Sequence, residues 1–565
     1  MPCLSRRDIL KAGAVYAAFP FVQPSSPHSA IPIFSDITEA AGVNWKHFSG
    51  ESSERLLIET MGGGVGLMDT EGSGSLDIFL LNGGETPRGR SSKPIRNALY
   101  RNTGNWKFQD VAQEAGLHHF SGYGMGVSIA DFDNDGRQDL FITGFPRCAL
   151  FHNNGNGTFS DVTKDAGVEN AGRWATGSAW FDYDNDGYLD LIVCNYVKFS
   201  LTGPQPDCEY SGVRTYCEQR GYEGMSLTLY RNNRNGTFSD VSHESGLDQL
   251  VGRALGVVAI DVNGDGWQDL FISRDGSSNL LLINQRNGTF VDLALEAEVA
   301  YDSAGNAKAG MGIDAGDCDG DGYPDFVVTN FNNEFDSLFL NSGRFPFTDA
   351  SRTSRLAAAS RFDVGWGVRF IDYDNDGRLD LLIVNGHINE VIELAQPAVK
   401  FREHPLLLRN VGNAAFEDVT AAAGTAFKNR FTARGLATGD LDNDGATDAV
   451  FTCAGGSPVL LRNNVGRRNA WLGIKLIGTK SNHDGIGAKL VLTARGQKIT
   501  HWIYSGGSYL SSHDKRVVFG LKDLSPRERL DVEIHWPGTG RQVERSLEIN
   551  RYHTITEAKA AGTES

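Results

Sequence analysis

The sequence has no Cys-x-x-Cys pair, no Gly-x-Ser-x-Gly, no His-Glu-x-x-His and no Walker loop. These absences exclude a zinc or iron–sulfur cluster of the common spacing, a hydrolase nucleophile elbow, a zincin and a P-loop nucleotide site. Histidines are scattered: His118-His119, His387, His483 and His513 stand apart, so none belongs to a recognisable general-base or metal-ligand pattern. Basic residues are in deficit, 53 against 70 acids, for a net charge of −17 over 565 residues. A basic face for nucleic acid or anionic lipid is therefore not expected. Beyond the N-terminus no apolar run reaches membrane length. Glycine, by contrast, is abundant at 67 residues, as a chain full of tight turns requires.

The first residues read as an address. Ser5-Arg6-Arg7-Asp8-Ile9-Leu10-Lys11 precedes a mildly apolar run, Ala12 to Val22, and resembles a twin-arginine export signal within 1–30. A periplasmic or secreted product with no integral membrane segment after signal removal is expected. In such a compartment Cys208 and Cys217, close together in a Gly-, Pro- and Tyr-rich loop, are candidates for a local disulfide. Cys3, Cys148, Cys194, Cys318 and Cys453 read as small apolar residues.

Repeats organise most of the chain beyond that segment. Asp-x-Asp-x-Asp-Gly-x-x-Asp, followed by an apolar run, occurs at Asp131, Asp133, Asp135, Asp139 and at Asp182, Asp184, Asp186, Asp190. It recurs at Asp317, Asp319, Asp321, Asp325, at Asp372, Asp374, Asp376, Asp380 and at Asp440, Asp442, Asp444, Asp448. One copy has Asn at the third position: Asp261, Asn263, Asp265, Asp269. The earliest copy is degraded to Asp69, Glu71, Ser73, Asp77, with Gly74 kept. The spacing averages about 62 residues, which suits a four-stranded propeller blade with generous loops. After most loops come Leu-x-x-Asn, a turn and Phe-x-Asp-Val, as in Leu150 to Asn153 with Phe159-Ser-Asp161-Val162. The chain opens on Phe34-Ser-Asp36-Ile37 with no loop before it, and the last repeat stops at Asn463 with no such element after it. The first segment is thus expected to complete the last repeat and close a ring. The expectation is an all-β chain: a seven-bladed β-propeller over 31–466, then a small antiparallel β-sandwich over 467–565, read from alternating runs such as Ala470 to Ile477 and Arg529 to Trp536.

Alternating carboxylates on a loop turned by Gly converge on one point. An all-oxygen, multi-carboxylate cage suits a hard cation of Ca²⁺ size, so about five to seven Ca²⁺ sites are expected, with the Asp69 loop open to either reading. Unlike an EF-hand, each loop runs into a strand and has no acid at position twelve.

On these residues the chain resembles FG-GAP/VCBS-type propellers, the family that includes the integrin α head. Asn482-His-Asp484-Gly485-Ile486-Gly487, Ser505-Gly506-Gly507-Ser508-Tyr509-Leu510 and Val532-Glu-Ile534-His535-Trp536-Pro537 look like the ASPIC/UnbV domain found after such propellers in proteins similar to cartilage acidic protein. Glu59-Thr60-Met61-Gly62-Gly63-Gly64 and Asn385-Gly386-His387 fit the same family. The resemblance implies a secreted calcium-binding protein with matrix or cell-surface roles and no established reaction; Asn263 and the first loop depart from it.

A binding or adhesion module for an extracellular glycan or protein is therefore expected. A calcium-dependent polysaccharide hydrolase or lyase, or an accessory factor for an exported enzyme, are the alternatives. Trp174, Trp180, Trp267 and Trp366 read as blade packing or as a platform for sugar rings. The insert from Asn195 to Met225, with Tyr196, Tyr210, Tyr216 and Tyr222, is the longest interruption and the expected ligand-facing excursion. Gly506 to His513 reads either as a hairpin or as the lining of a site.

Overall fold

The computed structural model describes residues 31–210, 212–394 and 396–558. Both the twin arginines and Cys3 lie outside them. Seven four-stranded antiparallel sheets follow one another along the chain. In each, a buried inner strand (Tyr123–Ala130 in the second sheet) runs into an acidic loop. The next strand (Asp139–Phe145) returns from it, and a third and a short fourth (Ala149–Asn153, Phe159–Asp161) finish the sheet. The seventh sheet takes its outer strand from the start of the chain: Phe34 pairs with Asn463 and Asp36 with Leu461. That is the closure expected from the phase of the repeat.

Two further features bind the sheets into a ring. The inner strands meet through glycine: a Cβ on Gly64, Gly126, Gly177, Gly256, Gly312, Gly367 or Gly435 would lie 2.0–3.0 Å from a backbone carbonyl of the next sheet. Around the ring these carbonyls belong to Met125, Thr176, Leu255, Met311, Trp366, Arg434 and Gly63, the last returning to the first sheet. The Asn of Leu-x-x-Asn forms a second link. Its side-chain amide donates to a loop carbonyl of the preceding sheet: Asn153 to Thr70 (3.1 Å), Asn232 to Phe132 (2.8 Å) and Asn284 to Tyr183 (2.8 Å). Asn341, Asn410, Asn463 and Asn102 reach Val262, Cys318, Tyr373 and Leu441 in the same way.

The C-terminal region forms two sheets. One holds Lys489–Ala494, Gln497–Trp502, Arg529–Trp536 and Gly540–Glu548. The other places Ala470–Ile477 between Val517–Lys522 and Tyr552–Thr556. The expected all-antiparallel sandwich is corrected at one pair: Gly473 to Ile477 run parallel to Tyr552 to Thr556. The final strand arrives after a crossover from the other sheet and runs in the same direction as the strand whose free edge it covers.

This region is not an appendage. Its core is continuous with that of the ring: Leu472, Leu490 and Val532 share one buried cluster with Phe132, Trp180 and Phe238. Its segment 504–516 enters the axis and caps the inner edges of the sheets. There Val127 N–H donates to Leu510 O (3.0 Å), Leu67 to Ser512 O (3.0 Å) and Ile313 to Ser508 O (3.1 Å). In return Gly507 donates to Val257 O (2.9 Å) and Asp514 to Thr438 O (3.1 Å). Gly506 to His513 is thus not a free hairpin. It is an axial plug, because inner-edge backbone groups out of reach of water need partners.

Candidate metal centres and the open face

Every acidic loop turns on two left-handed residues, at positions four and six. Asn134 (φ 60°) and Gly136 (φ 90°) do this in the second loop, and Gly72 (φ 68°) and Gly74 (φ 82°) in the degraded first loop. The first carboxylate then accepts two backbone N–H groups. Asp131 takes Asp135 N–H (3.0 Å) and Gly136 N–H (2.7 Å), and Asp69 takes Ser73 (2.8 Å) and Gly74 (2.7 Å). The ninth carboxylate is buried and also doubly bonded: Asp139 accepts from Phe132 (3.2 Å) and from Asn153 of the third strand (2.8 Å).

The third position carries the signal for a metal. One oxygen of Asp133, Asp184, Asp374 and Asp442 is buried with no hydrogen-bond partner among the described residues. Positions one, three and nine converge in Asp182/Asp184/Asp190, Asp317/Asp319/Asp325 and Asp372/Asp374/Asp380, with ligand atoms within 4.8 Å of one another, so each could hold a metal ion. In the second loop Asp131, Asp133 and Asp135 converge, and Asp133 and Asp139 also meet His152, which sequence reasoning missed.

Charge states agree. Burial first, then the Asp484 charge, pushes Asp131 up to about 8. Burial is also the leading cause that pushes Asp182 up to about 7 and Asp317 to about 6. Carboxylates crowded in a desolvated loop resist ionising together, and a divalent cation reverses that. The donor set, all oxygen with orphaned inward atoms, fits a hard cation.

Not every predicted ligand faces inward. The fifth-position acids turn toward surface arginines: Asp186 to Arg234 (2.6 Å), Asp265 to Arg286 (2.9 Å) and Asp376 to Arg378 (2.6 Å). Asn263 accepts the Asp265 N–H at 2.9 Å. In the first loop Glu71 pairs with Arg101 (3.2 Å), and Lys475 of the C-terminal domain stands 4.0 Å from Asp69. In several sheets the residue before the clasping Asn is another partner that the motif does not reveal. Arg409 reaches Asp374 (3.2 Å) and Arg462 reaches Asp442 (3.4 Å).

All seven loops lie on one face, and the C-terminal domain sits on it. His483 contacts Asp131 (3.2 Å), Asp484 accepts Asp131 N–H (2.9 Å), Tyr552 donates to Asp440 (2.8 Å) and Lys489 donates to Gly322 O (2.7 Å). The opposite face carries the connections between second and third strands, including the insert after Asn195. There Cys208 and Cys217 are joined, with Cα atoms 5.3 Å apart. Cys148, Cys194, Cys318 and Cys453 are buried. Tyr216 of the insert donates to Glu59 at 3.2 Å, and Arg55 lies over its ring. Tyr196 and Asp275 meet at a cavity of about 130 Å³ on the axis, walled by Thr60, Met61, Phe331 and Trp366. Gly386 O holds both Trp366 Nε1 (2.7 Å) and Arg434 (2.9 Å), so both isolated motifs, Glu59 to Gly64 and Asn385 to His387, converge here. Trp174 and Trp180 are buried packing residues, and Trp366, also buried, walls the axial cavity. No helix among the described residues is long and apolar enough to cross a membrane.

An FG-GAP-like repeat model matches residues 69–142, 131–193, 220–272, 261–328 and 317–383, and an ASPIC and UnbV model matches 478–562. Cartilage acidic protein 1 of Homo sapiens is 26% identical over 469 residues, 78% of this chain and 64% of the relative. The Xenopus tropicalis protein of that name is 26% identical over 465 residues, 77% and 64%. The chain thus spans a little under two thirds of the curated relatives it matches. Among solved structures, an Agrocybe aegerita lectin recognising non-reducing terminal N-acetylglucosamine superposes at TM-score 0.37 with 17% identity, covering 69% of this chain and 85% of the lectin. On the two family models, the chain belongs to the FG-GAP-like repeat proteins, with an ASPIC and UnbV domain following the repeats.

Proposed function

We propose that the chain is an exported, calcium-binding propeller that recognises an extracellular glycan or protein on the face opposite its acidic loops. Asp69, Glu71, Ser73 and Asp77 and their counterparts in the other six loops would provide the Ca²⁺ shells. Carboxylates at positions one, three and nine contribute most, and Ca²⁺ supplies neutralising charge that rigidifies the loop face. The observation that carries the reading is coverage. The C-terminal domain occupies the loop face and its plug fills the axis, which leaves the disulfide-pinned insert and its axial cavity for a partner. Loops held by a rigid ring are where recognition is usually placed. The acidic balance and relatives named for cartilage support an extracellular setting.

The test is a glycan array and an extracellular-protein panel probed with the full chain in Ca²⁺ and in EGTA. Capture of a defined partner in Ca²⁺, weakened by replacing the insert 200–222 with a short Gly-Ser linker, is the expected result. Capture insensitive to both the insert and the chelator would overturn the reading.

A further inference from the structure

The axial cavity has a composition that the recognition reading does not by itself explain. Three acids line it: Asp275 and Glu334 from different sheets, and Glu218 from the insert. Asp275 accepts the Tyr196 hydroxyl on Oδ2 at 2.5 Å, and Glu334 accepts the Ala309 N–H on Oε2 at 2.7 Å. The second oxygen of each accepts no side-chain hydrogen bond among the described residues.

Three of the nearby cations are engaged elsewhere. Lys308 Nζ donates to Phe335 O (3.1 Å) and Ser337 Oγ (3.0 Å). Arg253 donates to Gln219 O (3.1 Å) and Tyr222 O (3.2 Å), and Arg434 donates to Thr60 O (2.8 Å) and Gly386 O (2.9 Å). Neither Asp275 nor Glu334 forms a salt bridge among the described residues; Arg220, the one basic residue of the cavity wall, offsets part of the charge of its three acids. Burial pushes Asp275 up to about 7 despite the Tyr196 hydrogen bond.

Beside Thr60 and Gln219, the remaining wall is apolar or aromatic, with Met61, Met311, Phe331 and Trp366. Tyr509 of the plug packs edge-on against Trp366 (centroids 4.7 Å apart) within the cluster that includes Met61 and Met311. It is fully buried and its hydroxyl has no partner among the described residues. Carboxylate oxygens that face a cavity with no protein donor suit a ligand that brings donors and positive charge. Aromatic faces add attraction for a cation. A space of this size holds about one small ring or a four-carbon chain, compared with the roughly 150 Å³ cavity that takes benzene.

We propose that the cavity seats a primary ammonium group on a short alkyl stem, such as a lysine side chain of an extracellular protein partner, between Asp275 and Glu334. This rests on the recognition reading and names its chemistry.

The probe is n-butylammonium chloride, titrated calorimetrically into the full chain in Ca²⁺, with 1-butanol and N-acetylglucosamine as comparison ligands. Saturable binding of the amine is expected, at least tenfold tighter than butanol or the sugar. The double variant Asp275→Asn/Glu334→Gln should weaken it at least tenfold. Glu334→Gln alone, whose lost charge lies in a half-exposed side chain, serves if the double variant does not fold and should weaken it several-fold. Equal binding of butanol, tighter binding of the sugar, or an unchanged amine affinity in the variants would overturn the proposal. If the amine fails while insert-dependent partner capture survives, only this inference falls; if capture itself is lost, the recognition reading falls as well.

Discussion

At the scale of single residues the ring depends on side chains that look like turn formers. Asn232 satisfies Phe132 O and Leu189 O at once (2.8 and 3.0 Å) and is buried. Asn232→Ala leaves two buried carbonyls unpaired, so a loss of about 1–3 kcal/mol in urea-induced unfolding is expected, with the loss visible in Ca²⁺ and in EGTA alike. Asp336 lies away from the acidic loops. It is buried, accepts the Asn330 N–H at 2.9 Å, and burial pushes it up to about 7. Its folded value lies above that of the unfolded chain. Its contribution is therefore complete below the unfolded value and is lost as pH rises through about 7. Asp336→Asn should thus gain stability relative to the parent as pH rises from 5 to 8, by on the order of 1 kcal/mol per pH unit at most. Paired thermal melts at pH 5 and 8 measure it, and a parallel shift of both melts would contradict the assignment.

At the scale of the element, the acidic loop is the unit that repeats and that the proposed function loads with Ca²⁺. Chelation should therefore act on all sheets together. If Ca²⁺ is present at a hundred times its dissociation constant, each occupied loop adds about 2.7 kcal/mol to the folded state. A large drop in melting temperature in EGTA is expected, with Asp184→Ala removing one equivalent of bound Ca²⁺ by atomic emission and a share of that drop. The loop turns were readable from sequence because the Gly at position six bends the chain back, whereas the outward turn of Asp186, Asp265 and Asp376 depends on arginines that the motif does not include. Phe34 as the missing outer strand was readable from the phase of the repeat. The clasping Asn was visible as part of Leu-x-x-Asn, yet its contacts lie in another sheet, so spacing alone could not assign them; the Arg or His before it in several sheets was missed for the same reason. The parallel pairing of Gly473 with Tyr552 escaped because alternation of side chains records which face is buried, not the direction of a distant partner. The plug escaped for a related reason: a Gly-Ser-rich stretch reads as a turn until the edges it satisfies are in place.

At the scale of the molecule, the propeller and the C-terminal domain share one core and one axis. Tyr509 is a sensitive point, fully buried against Trp366 at the centre of the ring. Tyr509→Ala should cost about 3–5 kcal/mol, the range for deleting a buried aromatic, and should raise binding of a hydrophobic dye by the native state. A chain ending at residue 466 would expose the inner edges now capped by 504–516, and self-association by light scattering is the expected result. The join between Phe34 and Asn463 also has a consequence for biosynthesis. The ribosome must deliver more than four hundred residues after Phe34 before that strand can find its neighbour, on the order of a minute at common translation speeds. Throughout that interval the nascent chain has an unfinished first domain, so a helper that shelters the early strands would raise the yield of closed rings.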